Sequence, residues 1–277
     1  MVDVLSVVLV TGKELRDARR SRWFLLLTVV FAGLALALAL LGMSALGTVG
    51  NAGFGRTTAS LLNLVMLIVP LMGLLMSTLS VAGEREHGTL MTILAQPVLL
   101  EEVFLGKFLG LAAALLGTIL FGFGLAALVI ARQGGLPQVG SYLVLVGDTA
   151  LFGLGYLSLG FLIAALTRRT ASAVGVALFV WLVSVFLSDL GLIGTAVVLQ
   201  LSPRSLLWLS LANPPQVFKL LVLGGIQRSL ESLGPGGLYA TEVLGNWLPM
   251  TLTGLLVAWV IAPFALAILL LRNRGAS

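Results

Sequence analysis

Long apolar runs recur from Trp23 to Leu271, and they constrain this chain more than any other feature. The hydrocarbon core of a bilayer takes about 20 residues of helix to cross, because the backbone there must satisfy its own hydrogen bonds. Six stretches meet that requirement: 23–46, 60–82, 107–131, 142–166, 171–199 and 247–271. The fifth is long enough to tilt or break. Of 277 residues, 59% are hydrophobic and 10% charged, whereas a soluble domain is roughly 25% charged. The apolar excess has to face lipid. The expected fold is an all-α membrane protein of six transmembrane helices in one membrane domain. Pro70 and Pro263, inside the second and last runs, each remove a backbone donor and are expected to bend their helices.

Lysine and arginine set the orientation. Eleven lie on one side of this plan (Lys13, Arg16, Arg19, Arg20, Arg22, Arg85, Lys107, Arg168, Arg169, Arg272, Arg274), and five on the other (Arg56, Arg132, Arg204, Lys219, Arg228). The positive-inside rule then places both termini in the cytoplasm. It also explains the net charge of +5 without nucleic acid. The run from Trp23 to Leu46 exceeds the roughly 7–15 residues of a signal core, so it reads as a retained anchor. Before it, Val4 to Arg22 reads as an amphipathic helix lying in the interface, with Thr11 and Glu14 spaced as a capping box.

Two connections exceed a turn. From Gly83 to Gly106 the chain carries Glu84, Arg85, Glu86, His87, Glu101 and Glu102, yet keeps Leu90, Met91, Ile93 and Leu94 at helical spacing. From Ser202 to Asn246, Asn213 is placed to cap a helix beginning at Pro214 or Pro215. Val217, Phe218, Leu221 and Leu230 there alternate with Lys219, Gln227, Arg228 and Glu231, the pattern of a surface or interfacial helix.

The residue inventory excludes most chemistry. No cysteine is present, which removes disulfides, thiol nucleophiles and thiolate metal sites, and no GxxxxGK[ST] loop is present to hold ATP. His87 is the single histidine. Met66, Met72 and Met76 share a helix face and read as packing rather than a copper site. Asp148 and Asp189, both expected toward the outer leaflet, are the intramembrane acids, and such groups are functional candidates. Paired across a wet cavity they would suit an intramembrane carboxylate enzyme. That alternative leaves the charged segment after the second span unexplained. Gly106 and Gly110 suit close helix packing.

That segment is Gly83-Glu84-Arg85-Glu86-His87-Gly88-Thr89-Leu90, continuing through Thr92 to Pro97. A short charged helix with a Gly-Thr motif, between spans two and three on the cytoplasmic side, resembles the coupling helix of type-2 ABC exporter permeases. The N-terminal KELRDARRSRW before the first span is similar to that family too. Ser188-Asp189-Leu190 and Leu211 to Leu221 (LANPPQVFKLL) look like features of its subgroup that helps mature nitrous-oxide reductase. The resemblance implies a single permease domain over residues 1–277 without its own ATPase site. It implies a homodimer in a bacterial or archaeal cytoplasmic membrane, with ATP used by a separate cytoplasmic ATPase that docks on Gly83 to Leu90. It implies an extracytoplasmic β-helical partner and a role in assembling a copper-sulfur centre. Docking of that outer partner is expected at Asn213, Phe218, Lys219 and Arg228, and neither a resident cofactor nor a metal is expected. A permease for another substrate is the alternative.

Overall fold

The computed structural model describes residues 3–44, 51–89, 92, 98–132, 139–187, 203–227 and 243–274, and the described chain is helical throughout apart from turns. Nine helices are named here: α1 (Val4–Arg20), α2 (Arg22–Ser44), α3 (Asn51–Glu86), α4 (Leu100–Arg132), α5 (Val139–Leu166), α6 (Thr170–Leu182), α7 (Pro203–Leu211), α8 (Pro214–Gln227) and α9 (Leu248–Arg274). Among the described residues five are long and apolar enough to cross a membrane: α2, α3, α4, α5 and α9. Where the fifth span is expected, the described residues form α6, a shorter apolar helix that runs into a π-helical turn at Val183–Leu187. Its remainder, 188–199, lies outside the described residues, as do Asp189, Leu90 and Arg228.

Helix ends follow local chemistry. Asp3 caps α1 by accepting from the Leu5 N–H at 3.0 Å, and Ser21 in extended conformation separates α1 from α2. Thr11 and Glu14 therefore do not form a capping box. The same three-residue spacing also occurs inside a helix, and here the Thr11 hydroxyl donates back to the Val7 carbonyl at 2.8 Å. At the start of α4, Glu102 accepts from the Leu99 N–H at 3.0 Å, the return half of a capping box. Gly88 ends α3 with φ of +71°, a left-handed conformation that a side chain would oppose. Its N–H bonds the Arg85 carbonyl at 3.2 Å.

Helix α5 is central. Helices α3 and α9 flank it, α8 lies across it, and α1 and α2 pack on α4. Phe104, Phe161 and Phe264 meet edge-on, with Phe108 joining them, so α4, α5 and α9 share an aromatic core. Met66, Met72 and Met76 of α3 are buried in the hydrophobic core of the bundle. Pro70 sits inside an unbroken α3, and in the turn before it the Leu67 carbonyl accepts the Trp181 indole N–H at 2.8 Å. The α1–α4 contact needs Gly106 and Gly110. A Cβ at Gly110 would lie 2.6 Å from Glu14 Cβ and 2.7 Å from the Thr11 carbonyl, and one at Gly106 2.7 Å from Val10 Cβ. The pair therefore serves packing within the chain.

Candidate functional site

One end of the bundle gathers most of the charge. Lys107, eight residues into an apolar α4, is fully buried, and its ammonium lies 2.7 Å from Glu14 Oε1 on α1 and 3.0 Å from Glu84 Oε2 at the end of α3. Lys107 also donates to Ser80 Oγ at 3.0 Å, and Ser80 donates to Glu14 Oε2 at 2.8 Å. Lys13 closes the group from the solvent side, 2.6 Å from Glu84 Oε1 and 3.2 Å from Glu14 Oε1. A buried charge without a partner is costly, and here each carboxylate meets an ammonium. Burial raises the Glu14 carboxyl pKa, but the adjacent Lys107 charge and the bonds from Lys107 and Ser80 outweigh it and hold the group below its usual range. Burial likewise lowers the Lys13 ammonium pKa, and the Glu84 and Glu14 carboxylates outweigh that and raise it.

The three charged residues after Gly83 grip four different helices. Glu84 reaches α1 and α4 through Lys13 and Lys107. Arg85 donates to the carbonyls of Ala164, Ala165 and Thr167 at 2.9, 3.3 and 3.0 Å, where α5 runs out of internal donors. Glu86 accepts from the Thr170 N–H at 2.8 Å, the opening amide of α6. Consecutive residues on a helix point about 100° apart, so a charged triplet at its end can reach out in three directions at once.

Sequence reading assigns all of Gly83 to Leu90 to docking a partner. The structure turns Glu84 and Arg85 inward, leaving Glu86, His87, Gly88 and Thr89 exposed. His87 Nδ1 stays local, 2.7 Å from the Gly83 carbonyl, and the Thr89 hydroxyl donates to the Glu84 carbonyl at 3.2 Å. The anchors Glu14, Ser80 and Lys107 are missed by sequence reading. The available signal is a lone lysine between two packing glycines, at the head of an apolar helix.

The remaining candidates stand apart from this junction. Asp148 is half-buried on α5, and its Oδ2 has no hydrogen-bond partner among the described residues. Asn213 starts α8, its carbonyl accepting from Gln216 and Val217, each at 3.1 Å. Phe218 is not a surface residue. It is fully buried and stacked on Phe152 of α5, ring centroids 4.5 Å apart and planes 12° from parallel. The amphipathic pattern is real, but its apolar face meets α5 and α9. Lys219 is half-buried on the same helix.

Sequence comparison agrees over almost the full length. A family model described as ABC-2 family transporter protein matches residues 8–276. The chain is 36% identical over 276 residues to the probable ABC transporter permease protein NosY of Pseudomonas aeruginosa, covering 96% of this chain and 97% of that protein. It is 34% identical over 274 residues to the protein of the same name in Stutzerimonas stutzeri, with 96% and 97% covered. A probable multidrug ABC transporter permease of Escherichia coli, YbhS, is 35% identical over 119 residues, 41% of this chain and 29% of that one. The chain belongs to the ABC-2 family of transporter proteins, as a permease subunit.

Proposed function

We propose that the chain is the six-span membrane subunit of a homodimeric transporter in the cytoplasmic membrane, with both termini in the cytoplasm. A separate ATPase drives it through the segment that begins at Gly83. The observation that supports this reading is the junction at Glu84, Arg85 and Glu86. A push on the exposed turn at His87–Thr89 acts directly on α1, α4, α5 and α6, so one docked partner reaches four helices. ATP is consumed by the partner. The resemblance to permeases of nitrous-oxide reductase maturation, together with the likeness to the two NosY proteins, makes assembly of that enzyme's copper-sulfur centre the favoured role. An extracytoplasmic β-helical protein is then the second partner. Its docking rests on Asn213, Lys219 and Arg228, with Phe218 fastening α8 to the bundle.

Co-purification tests the reading. His87→Glu with Thr89→Arg changes two exposed side chains and is expected to release a co-expressed cognate ATPase while the thermal midpoint of the permease stays unchanged. Retention of the ATPase at the unmodified level would reject docking at this turn.

A further inference from the structure

Four arginines cluster where α1 passes into α2, and no carboxylate neutralises them. Arg16, Arg19 and Arg20 lie on the outward side of α1, away from buried Glu14 and Ala18, and Arg22 opens α2. All four are exposed, and among the described residues none forms an ion pair. Asp17, the nearest acid along the chain, faces Lys13 instead, with 3.8 Å between its Oδ2 and the ammonium. The C-terminal end of α1 contributes roughly half a negative charge against four positive ones, and the Ser21 N–H already bonds the Asp17 and Ala18 carbonyls there. The patch therefore calls for an anion.

We propose that this patch binds anionic phospholipid, its phosphate held by these arginines and one acyl chain laid along α2. Position supports that occupant. The candidate span begins at Arg22, so the arginines stand at its mouth, at the level of the headgroups. Beneath Arg22, one and two turns further along the helix, Leu26, Val29 and Val30 are 53%, 70% and 40% exposed, and Trp23 beside it is 66% exposed. A free anion would answer the charge and leave this apolar strip bare, whereas one anionic amphiphile answers both. Headgroup chemistry narrows the class. A guanidinium fork fits two phosphate oxygens at once. A zwitterionic headgroup would bring its own ammonium among four guanidinium groups and be disfavoured. The attraction is mainly electrostatic and should weaken with salt.

The test uses the full chain in phosphatidylcholine nanodiscs doped with a photoprobe, either phosphatidylglycerol or phosphatidylcholine bearing the same acyl-chain diazirine. Cross-linked peptides are mapped by mass spectrometry. The segment from Trp23 to Val30 is expected to take up the phosphatidylglycerol probe severalfold more than the phosphatidylcholine probe at low salt, and the preference should fade at about 1 M salt. Arg19→Gln with Arg20→Gln should cut the preference severalfold. Arg168→Gln with Arg169→Gln removes the same charge from another exposed pair and should leave the preference unchanged. Arg19→Lys with Arg20→Lys, which keeps the charge and with it the orientation of the chain, should retain most of it. Equal uptake of the two probes would overturn the proposal, as would a preference that the Arg19 and Arg20 glutamine substitutions leave intact or that the control pair reduces equally. Release of the co-expressed ATPase by those glutamine substitutions, with the lipid preference unchanged, would assign the patch to a protein partner and overturn it too.

Discussion

The Lys107 ammonium and the Glu14 carboxylate meet at 2.7 Å, 93 residues apart in sequence, both almost without solvent contact. That pair locks α1 onto the first turns of α4, beside the segment on which an ATPase is proposed to act.

Removing one member leaves the other with a remoter partner, Glu14 with Lys13 at 3.2 Å or Lys107 with Glu84 at 3.0 Å. Lys107→Met is expected to destabilise the solubilised permease by up to about 3–5 kcal/mol, the usual cost of breaking a buried ion pair. Glu14→Gln with Lys107→Met should recover a large part of the loss, because the double change leaves no orphan at that contact. Unfolding midpoints of the two singles and the double give the coupling. Strict additivity would mean that the pair does not hold the helices together.

The α1–α4 contact depends on backbone approach as well as charge. Gly110→Ala is expected to lower stability by about 1–3 kcal/mol, as overpacking does, because its Cβ would meet the Thr11 carbonyl at 2.7 Å. Gly117→Ala on the same helix meets nothing within 4 Å and serves as the control. Equal behaviour of the two variants in thermal unfolding would remove the close-packing explanation.

Much of this was legible because membrane spans and packing glycines are local patterns. An apolar run of sufficient length needs no knowledge of its neighbours, and Gly106 and Gly110 announce close approach by their size. What failed was whatever depends on a distant partner. Thr11 and Glu14 have the spacing of a cap, and only the position of Lys107 shows that Glu14 belongs to a buried ion pair. Phe218 marks an apolar helix face, but periodicity does not say whether that face meets lipid, another protein or Phe152. Glu84 and Arg85 look like solvent-facing docking charges until Lys107 and the end of α5 are in place.

The same network shapes the response to pH. The Glu14 pKa lies below its ordinary 4.5 in the folded chain, so its contribution is complete above that value and is lost as pH falls through the folded pKa. Lys13 is raised above 10.5, so its contribution is complete below that value and is lost as pH rises through the folded pKa. Their combined contribution should be flat between those limits. In thermal unfolding against pH, Glu14→Gln is expected to flatten the acid-side decline. An unchanged decline would show that other groups carry it.

Gly88 offers a backbone test of the same region. Its φ of +71° is disfavoured for an L-residue by roughly 1–2 kcal/mol. Gly88→Ala should weaken ATPase co-purification, because the strained turn repositions His87 and Thr89, whereas Gly83→Ala, which meets nothing within 4 Å, should not. Equal co-purification of both variants would detach the turn from docking.

Topology is tested on a chain with no native cysteine. Single cysteines replacing Arg56, Gln133 and Ser232 should react with an impermeant thiol reagent from outside sealed cells, and those replacing Ser21, Arg169 and Gly275 should not. Labelling of the second set would reject the six-span arrangement with cytoplasmic termini.

The central claim is that Arg85 and Glu86 pass the ATPase's movement into α5 and α6. A spin label at exposed Ser172 on α6 reports, by pulsed EPR, the distance between the two copies of the proposed homodimer. ATP is expected to shift that distance in the otherwise unmodified protein. With Arg85→Gln and Glu86→Gln the ATPase should remain bound, but the shift should disappear. A full nucleotide-dependent shift in the doubly substituted complex would contradict the account.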